Sequence, residues 1–204
     1  MHLRVARTTA VRPTAANARQ VLFDILGPRV VGTRWLDLYA GSGAVGLEAL
    51  SRGAADCIMV ESSHRCVVAI RDNIARLNYG ERCRLLTTPV ATALKKLAAD
   101  GHFFDMVFLD PPYSGDEAKH CLLALGGSAS ALLASSPDSL VVAQLSVHQE
   151  ILATYGSLVV EREKRLGDTR LCFLRREAEA LGPDSPNPSC ETPPSGWPES
   201  AATQ

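Results

Sequence analysis

The feature that most constrains this chain is a glycine-rich turn set between a strand-like apolar run and a helix-like one, Asp37-Leu38-Tyr39-Ala40-Gly41-Ser42-Gly43-Ala44-Val45-Gly46. Glycines at such a junction let the backbone approach a ligand closely, and folds that use them carry the ligand across the carboxyl ends of parallel strands. The flanking pattern agrees. Short apolar runs alternate with longer alanine- and leucine-rich stretches, the signature of a parallel sheet covered by helices. Strands are predicted at Trp35 to Tyr39, Cys57 to Val60, Arg84 to Thr87, Phe104 to Leu109 and Ser139 to Leu145. Helices are predicted at Ala44 to Ser51, His64 to Leu77 and Val90 to Ala99. Ser157 to Arg165 and Thr169 to Arg175 flank Leu166-Gly167-Asp168 with no room for a helix, so they read as an antiparallel hairpin at one edge of the sheet.

Glu61 ends the second predicted strand, twenty residues after Gly41. It is placed to accept both ribose hydroxyls of an adenosine cofactor, held against Gly41, Ser42 and Gly43. Glycine turn and acid together suit NAD as well as S-adenosylmethionine. Asp37 separates the two, because a carboxylate four residues before Gly41 attracts an ammonium and a sulfonium but repels a pyrophosphate.

The second constellation is Asp110-Pro111-Pro112-Tyr113, directly after the most apolar run. Two prolines fix the turn and remove two backbone donors, so the segment offers acceptors. An exocyclic amino group on a nucleobase presents two N–H donors and has its lone pair delocalised into the ring. Accepting one hydrogen at the Asp110 carboxylate and one at the Pro111 carbonyl would turn that lone pair toward a methyl donor, so that positioning supplies most of the catalysis. Tyr113 would stack on the extruded base.

With these residues in view, the sequence resembles the bacterial 16S ribosomal RNA guanine-N2 methyltransferase family, which has plastid relatives. The matching positions are Arg12-Pro13-Thr14, Arg19 and Leu22-Phe23, the block from Leu36 to Ala54, Val60-Glu61, Asn73, and Phe108 to Tyr113. The resemblance implies a class I methyltransferase fold: a Rossmann-like α/β sheet, mostly parallel, with a C-terminal antiparallel hairpin. It further implies S-adenosylmethionine as cofactor and, as partner, ribosomal RNA in a small subunit or its assembly intermediate, contacted by Arg12, Thr14, Arg19 and Pro112. The chain differs from the family at Ala15 to Val21, where a more acidic stretch is usual. It also has Thr87-Thr88-Pro89 where an Asp or Asn often stands near the adenine, and Gln144 where many relatives carry an acid.

Composition sets the remaining bounds. A chain of 204 residues with 46% hydrophobic residues supports one sizeable core. The expected organisation is a basic N-terminal segment over 1–34, a catalytic domain over 35–180, and a disordered proline-rich tail over 181–204 that holds six of the twelve prolines. No apolar run is long enough to span a bilayer and no secretory signal is visible, so a cytoplasmic location is expected, with the plastid as the alternative. The six cysteines are dispersed, which argues against zinc and against a disulfide framework. A net charge of −1 conceals two basic groups: the arginines of 1–34, and Arg162, Lys164, Arg165, Arg170, Arg175 and Arg176. Three other functions stay open: amino methylation at adenine N6 in DNA or RNA, nicotinamide-dependent oxidoreduction, and rRNA binding by a catalytically impaired relative. The five histidines show no grouping of the kind an oxidoreductase would need.

Overall fold

The computed structural model describes residues 13–112 and 115–177, with side chains of the first helix from Asn17 onward. Expectations for Arg12, for Tyr113, for the side chain of Thr14 and for the tail lie outside the described residues. After a first helix α1 (Pro13–Leu26) come β1 (Arg34–Leu38), α2 (Ala44–Ser51), β2 (Asp56–Val60), α3 (His64–Arg76), β3 (Cys83–Leu86), α4 (Val90–Ala99), β4 (Met106–Leu109), α5 (Glu117–Leu125) and β5 (Leu140–Ser146). The chain closes with β6 (Thr154–Tyr155), β7 (Leu158–Leu166) and β8 (Thr169–Arg176).

These strands form one eight-stranded sheet in the order β3-β2-β1-β4-β5-β8-β7-β6. The first five are parallel, and β8, β7 and β6 extend the sheet antiparallel. The expected hairpin is therefore present, and β7 carries its exposed run Glu161 to Arg165 near the sheet edge.

Strand alternation assigns the side chains to two cores. Leu36, Leu38, Val107, Leu109 and Val141 face α4 and α5, meeting Leu94, Leu97, Leu122 and Leu125. Trp35, Met59, Phe108, Val142 and Phe173 face the other way, onto α1, α2 and α3, where they meet Leu22, Phe23, Leu47 and Ile70. Burial on both faces is why these strands read as continuous apolar runs.

Two helices go beyond the sequence expectation. In α5, Ala118, Cys121, Leu122 and Leu125 keep the spacing of a buried helical stripe. In α1, Ala18, Leu22, Phe23 and Leu26 are buried, and Phe23 stacks on Trp35 at 5.7 Å between ring centroids. The expected boundary at residue 34 thus separates no packing unit among the described residues.

Several arginines of the two basic groups tie the sheet to its surroundings. Arg34 donates three times to Asp105, from its guanidinium at 2.9 and 2.8 Å and from its backbone N–H at 2.8 Å, pinning the start of β1 to the residue before β4. Burial raises the Asp105 pKa, but the Arg34 hydrogen bonds outweigh it and hold the carboxyl below its ordinary value. Arg176 donates to the carbonyls of Ser130 and Leu133, Arg175 to Glu161 and to the Pro137 carbonyl, and Arg170 to Glu163 and to the Gln149 carbonyl.

One glycine is demanded by a close approach of backbones. A Cβ on Gly126, just past α5, would lie 1.7 Å from the carbonyl oxygen of Tyr155. The obstacle is main chain, held by the bond from the Ser157 N–H to the Gly126 carbonyl, and cannot swing aside. Gly126→Ala should therefore cost about 2 kcal/mol or more of stability, as overpacked interiors do. Urea denaturation checks this; a midpoint equal to the parent's would show that the β6–β7 turn yields freely.

Candidate active site

Pairing sets the stage for the site. β1 is in register with both neighbours, Leu38 opposite Val60 of β2 and Leu109 of β4. The backbone ladder runs one step further, from the Ala40 N–H to the Val60 carbonyl and from the Asp110 N–H to the Leu38 carbonyl. The glycine turn, the loop at Glu61 and the loop at Asp110 consequently leave the sheet at one level.

The turn is built from left-handed residues. Gly41 and Gly43 have φ of 56° and 76°, and Tyr39, which is not a glycine, sits at 60°. That conformation is uncommon for a bulky side chain and costs on the order of 1–3 kcal/mol. Its surroundings hold it: Tyr39 packs against the α4–α5 core, and the Gly43 N–H donates to the Ala40 carbonyl at 2.7 Å. Asn73 on α3, 1% exposed, donates from its side-chain amide to the Ser42 carbonyl at 3.2 Å. Above Gly41 the space where a Cβ would sit is empty.

Glu61 lies across this turn. One carboxylate oxygen accepts the Gly41 N–H at 2.8 Å and the other the Ser63 N–H at 2.7 Å. The side chain is only partly buried, so each oxygen keeps acceptor capacity toward the cleft. Asp37 lies beneath the turn, 1% exposed, and accepts the Gly46 N–H at 2.9 Å. The same glycine lets α2 close on β2, since a Cβ there would meet Met59 at 2.7 Å and Cys57 at 2.8 Å.

Asp110 follows β4 on the face that Asp37 shares. Its N–H continues the ladder, Pro111 behind it is buried, and Pro112 is exposed. Burial pushes the Asp110 carboxyl up to about 7. Asp37 is also pushed up to about 7, by burial first, with the Gly46 hydrogen bond opposing and the charges of Asp110 and Glu61 adding to the rise. Asp37 therefore senses the other two carboxyls. A cation beside it would relieve the repulsion, and a pyrophosphate would aggravate it.

Of the residues predicted from sequence, the structure brings Asp37, Gly41, Ser42, Gly43, Glu61, Asp110 and Pro111 to this one end of the sheet. Arg19 lies on α1, half-buried, one turn before Leu22 and Phe23. A cavity of about 450 Å³ between α4 and α5 borders Tyr39 on the other face and is lined by Val90, Leu94, Glu117, His120 and Cys121, away from the carboxylates. Sequence reasoning gave no site role to Asn73, although a polar residue in the apolar stripe Val67, Ile70, Asn73 of α3 was a readable signal. It also noted Gln144 only as a departure; its side-chain amide donates to Asp110 at 3.2 Å. Among the described residues there is no group of three or more His, Cys, Asp or Glu arranged to hold a metal, and no helix long and apolar enough to cross a membrane.

Comparison with known proteins adds relatives to this geometry. The family model described as conserved hypothetical protein 95 matches residues 1–175. The ribosomal RNA small subunit methyltransferase D of Escherichia coli (strain K12) is 30% identical over 177 residues, covering 87% of this chain and 85% of that protein. Among solved structures, a conserved hypothetical protein of Streptococcus pyogenes has a TM-score of 0.70 at 31% identity, over 78% of this chain and 95% of that one. A hypothetical protein of Thermus thermophilus has a TM-score of 0.67, also at 31% identity, over 85% and 92%.

Two outcomes are expected of the site. Glu61→Ala should weaken an adenosine-bearing ligand of this cleft, with S-adenosylmethionine as the probe, about 10- to 100-fold, the loss of hydrogen bonds to a charged group. Calorimetry decides, and an unaltered cofactor affinity removes Glu61 from the ligand. Asp37, raised from 3.8 to about 7, keeps a proton in the fold that the unfolded chain sheds above about pH 4, so its contribution to stability is lost progressively between about pH 4 and about pH 7. Asp37→Asn retains an acceptor for Gly46 and cannot ionise. Its stability relative to the parent should rise between about pH 4 and pH 7 and level off above that in denaturation of the ligand-free chain, and a flat difference across that interval would contradict the assignment.

Proposed function

Because this chain belongs to the family described as conserved hypothetical protein 95, and because its carboxylates gather at the glycine turn, we propose that it is an S-adenosylmethionine-dependent methyltransferase acting on guanine N2 in small-subunit ribosomal RNA. The observation that carries the reading is the convergence of the Asp110-Pro111-Pro112 turn with the glycine turn at the adjacent ends of β4 and β1. The relative named ribosomal RNA small subunit methyltransferase D, matched over 85% of its length, supports the substrate.

The residues fit the cofactor. Glu61 offers acceptor oxygens to a ribose diol, the open space over Gly41 admits a ligand against the backbone, and Asp37 favours a positive centre. When bound, S-adenosylmethionine supplies a methyl carbon made electrophilic by its sulfonium. The chain's own part is to present nitrogen to it. Asp110 accepts one N–H of the exocyclic amino group and the Pro111 carbonyl accepts the other, which turns the lone pair out of conjugation and toward the methyl. As positive charge grows on that nitrogen, the Asp110 carboxylate faces it in a site with little water, where the attraction is strongest. With its pKa near 7, the same oxygen can take the surplus proton and release it to solvent at neutral pH. In this reading Tyr113 stacks on the base, while Arg12, Thr14, Arg19 and Pro112 contact the RNA around it.

Methyl-labelled S-adenosylmethionine, unmodified small ribosomal subunits and the same rRNA stripped of protein supply the test. Digestion to nucleosides should yield N2-methylguanosine; N6-methyladenosine in its place would overturn the base assignment, and no label in either substrate would overturn the function. Asp110→Ala should lower transfer at least about 100-fold, comparable to removing one preorganised partner of a transition state, with cofactor affinity nearly intact.

A further inference from the structure

Gln144 is a buried polar residue that the mechanism above does not use. It lies in β5 one step beyond Ala143, which pairs with Leu109, just as Asp110 lies one step beyond Leu109. Strand alternation points both side chains to the face shared with Asp37. Gln144 is 5% exposed, its backbone is held opposite Leu171 of β8, and its Nε2 donates to Oδ2 of Asp110 at 3.2 Å. Only the amide nitrogen can face an ionised carboxylate, because the amide oxygen would set two acceptors against each other.

We propose that Gln144 is a positioning residue of the methyl-transfer site, clamping Oδ2 of Asp110 across the gap between β4 and β5 so that Oδ1 is left, in a fixed plane, for the substrate amino group. This rests on the function proposed above. A carboxylate side chain on so short a linkage otherwise rotates about its Cβ–Cγ bond, and an acceptor that rotates does not orient a nitrogen. The donor also favours the charged form of a carboxyl that burial opposes. The other groups bearing on Asp110 do not replace it. Asp37 on β1 and Glu61 after β2 are acids, Leu22, Leu47, Leu171 and Phe173, which α1, α2 and β8 turn to this face, are apolar, and Thr169 lies two residues along β8 from Leu171, opposite Ser146 and not Gln144. Gln144 thus supplies a donor that an acid at this position supplies only while protonated.

Two variants test this, Gln144→Leu and Gln144→Glu, each first checked for unchanged affinity for S-adenosylmethionine as evidence of an intact fold. For Gln144→Leu we expect kcat at neutral pH to fall about tenfold, KM for the RNA to stay put, and the acidic limb of the kcat profile to move up by about one pH unit. For Gln144→Glu we expect activity to recover toward the parent's at the acidic end, where the new carboxyl carries a proton and can donate it, and to fall as that proton leaves. A Gln144→Leu profile parallel to the parent's, or unchanged, overturns the proposal, as does a Gln144→Glu profile of the parent's shape. Carbon-13 titration of the Asp110 carboxyl in the RNA-free protein gives a readout that needs no turnover: its midpoint should rise in Gln144→Leu. An unmoved midpoint sinks the clamp even if the parent methylates rRNA, whereas a raised midpoint in a chain that methylates no RNA retains the clamp and rejects only the substrate.

Discussion

Everything at the candidate site depends on the parallel register of three strands. With Leu38 opposite both Val60 and Leu109, the loops that follow β1, β2 and β4 must emerge side by side, whatever their own sequences are. Residues as distant in the chain as Asp37, Glu61 and Asp110 are gathered by backbone hydrogen bonding before any side chain makes a contact. Parallel strands carry all their carboxyl ends to one edge, which is why ligands of such sheets lie there. The Arg34–Asp105 pair guards this alignment at the opposite end, joining the start of β1 to the approach to β4.

The site works against the stability of the fold. Asp37 and Asp110 are both held where burial disfavours their charge, and neither has a cationic side chain among its hydrogen-bond partners in the described structure. They are held by neutral donors: the Gly46 N–H for one and the Gln144 amide for the other. An ion pair would neutralise the carboxyls and leave nothing for a positive ligand or a developing charge on nitrogen. Neutral donors fix the orientation and keep the negative potential available. The strained backbone at Tyr39 fits the same pattern, since the turn's shape is maintained by packing and by Asn73 from outside the turn.

Arginines divide differently from what their clustering implies. Arg34, Arg170, Arg175 and Arg176 spend their donors on carboxylates and carbonyls of neighbouring loops, acting as ties between the antiparallel end of the sheet and the connections around it. Lys164 and Arg165 remain exposed on β7. Among the described residues the surface therefore has fewer free cations than the count of basic residues would give, and this is a property of pairing that no linear charge pattern contains.

The local and periodic properties of the chain were legible in its sequence. The apolar runs specify strands because burial on both faces admits only apolar residues, and the bounds of α2 and α4 follow from the glycine turn and from Pro89. The glycine turn, Glu61 and the Asp110-Pro111 pair announce themselves because each is a short-range signal, a few residues whose backbone needs are written in their types. Helices α1 and α5 were less visible, since their apolar stripes gain meaning only against the sheet faces they cover. Tertiary structure alone decided which distant residues meet: that Asn73 braces Ser42, that Arg34 grips Asp105, and that Gln144 reaches Asp110 rather than solvent. Strand order and register determine such contacts, and these come from competition among whole-chain pairings, a quantity no local window of residues holds.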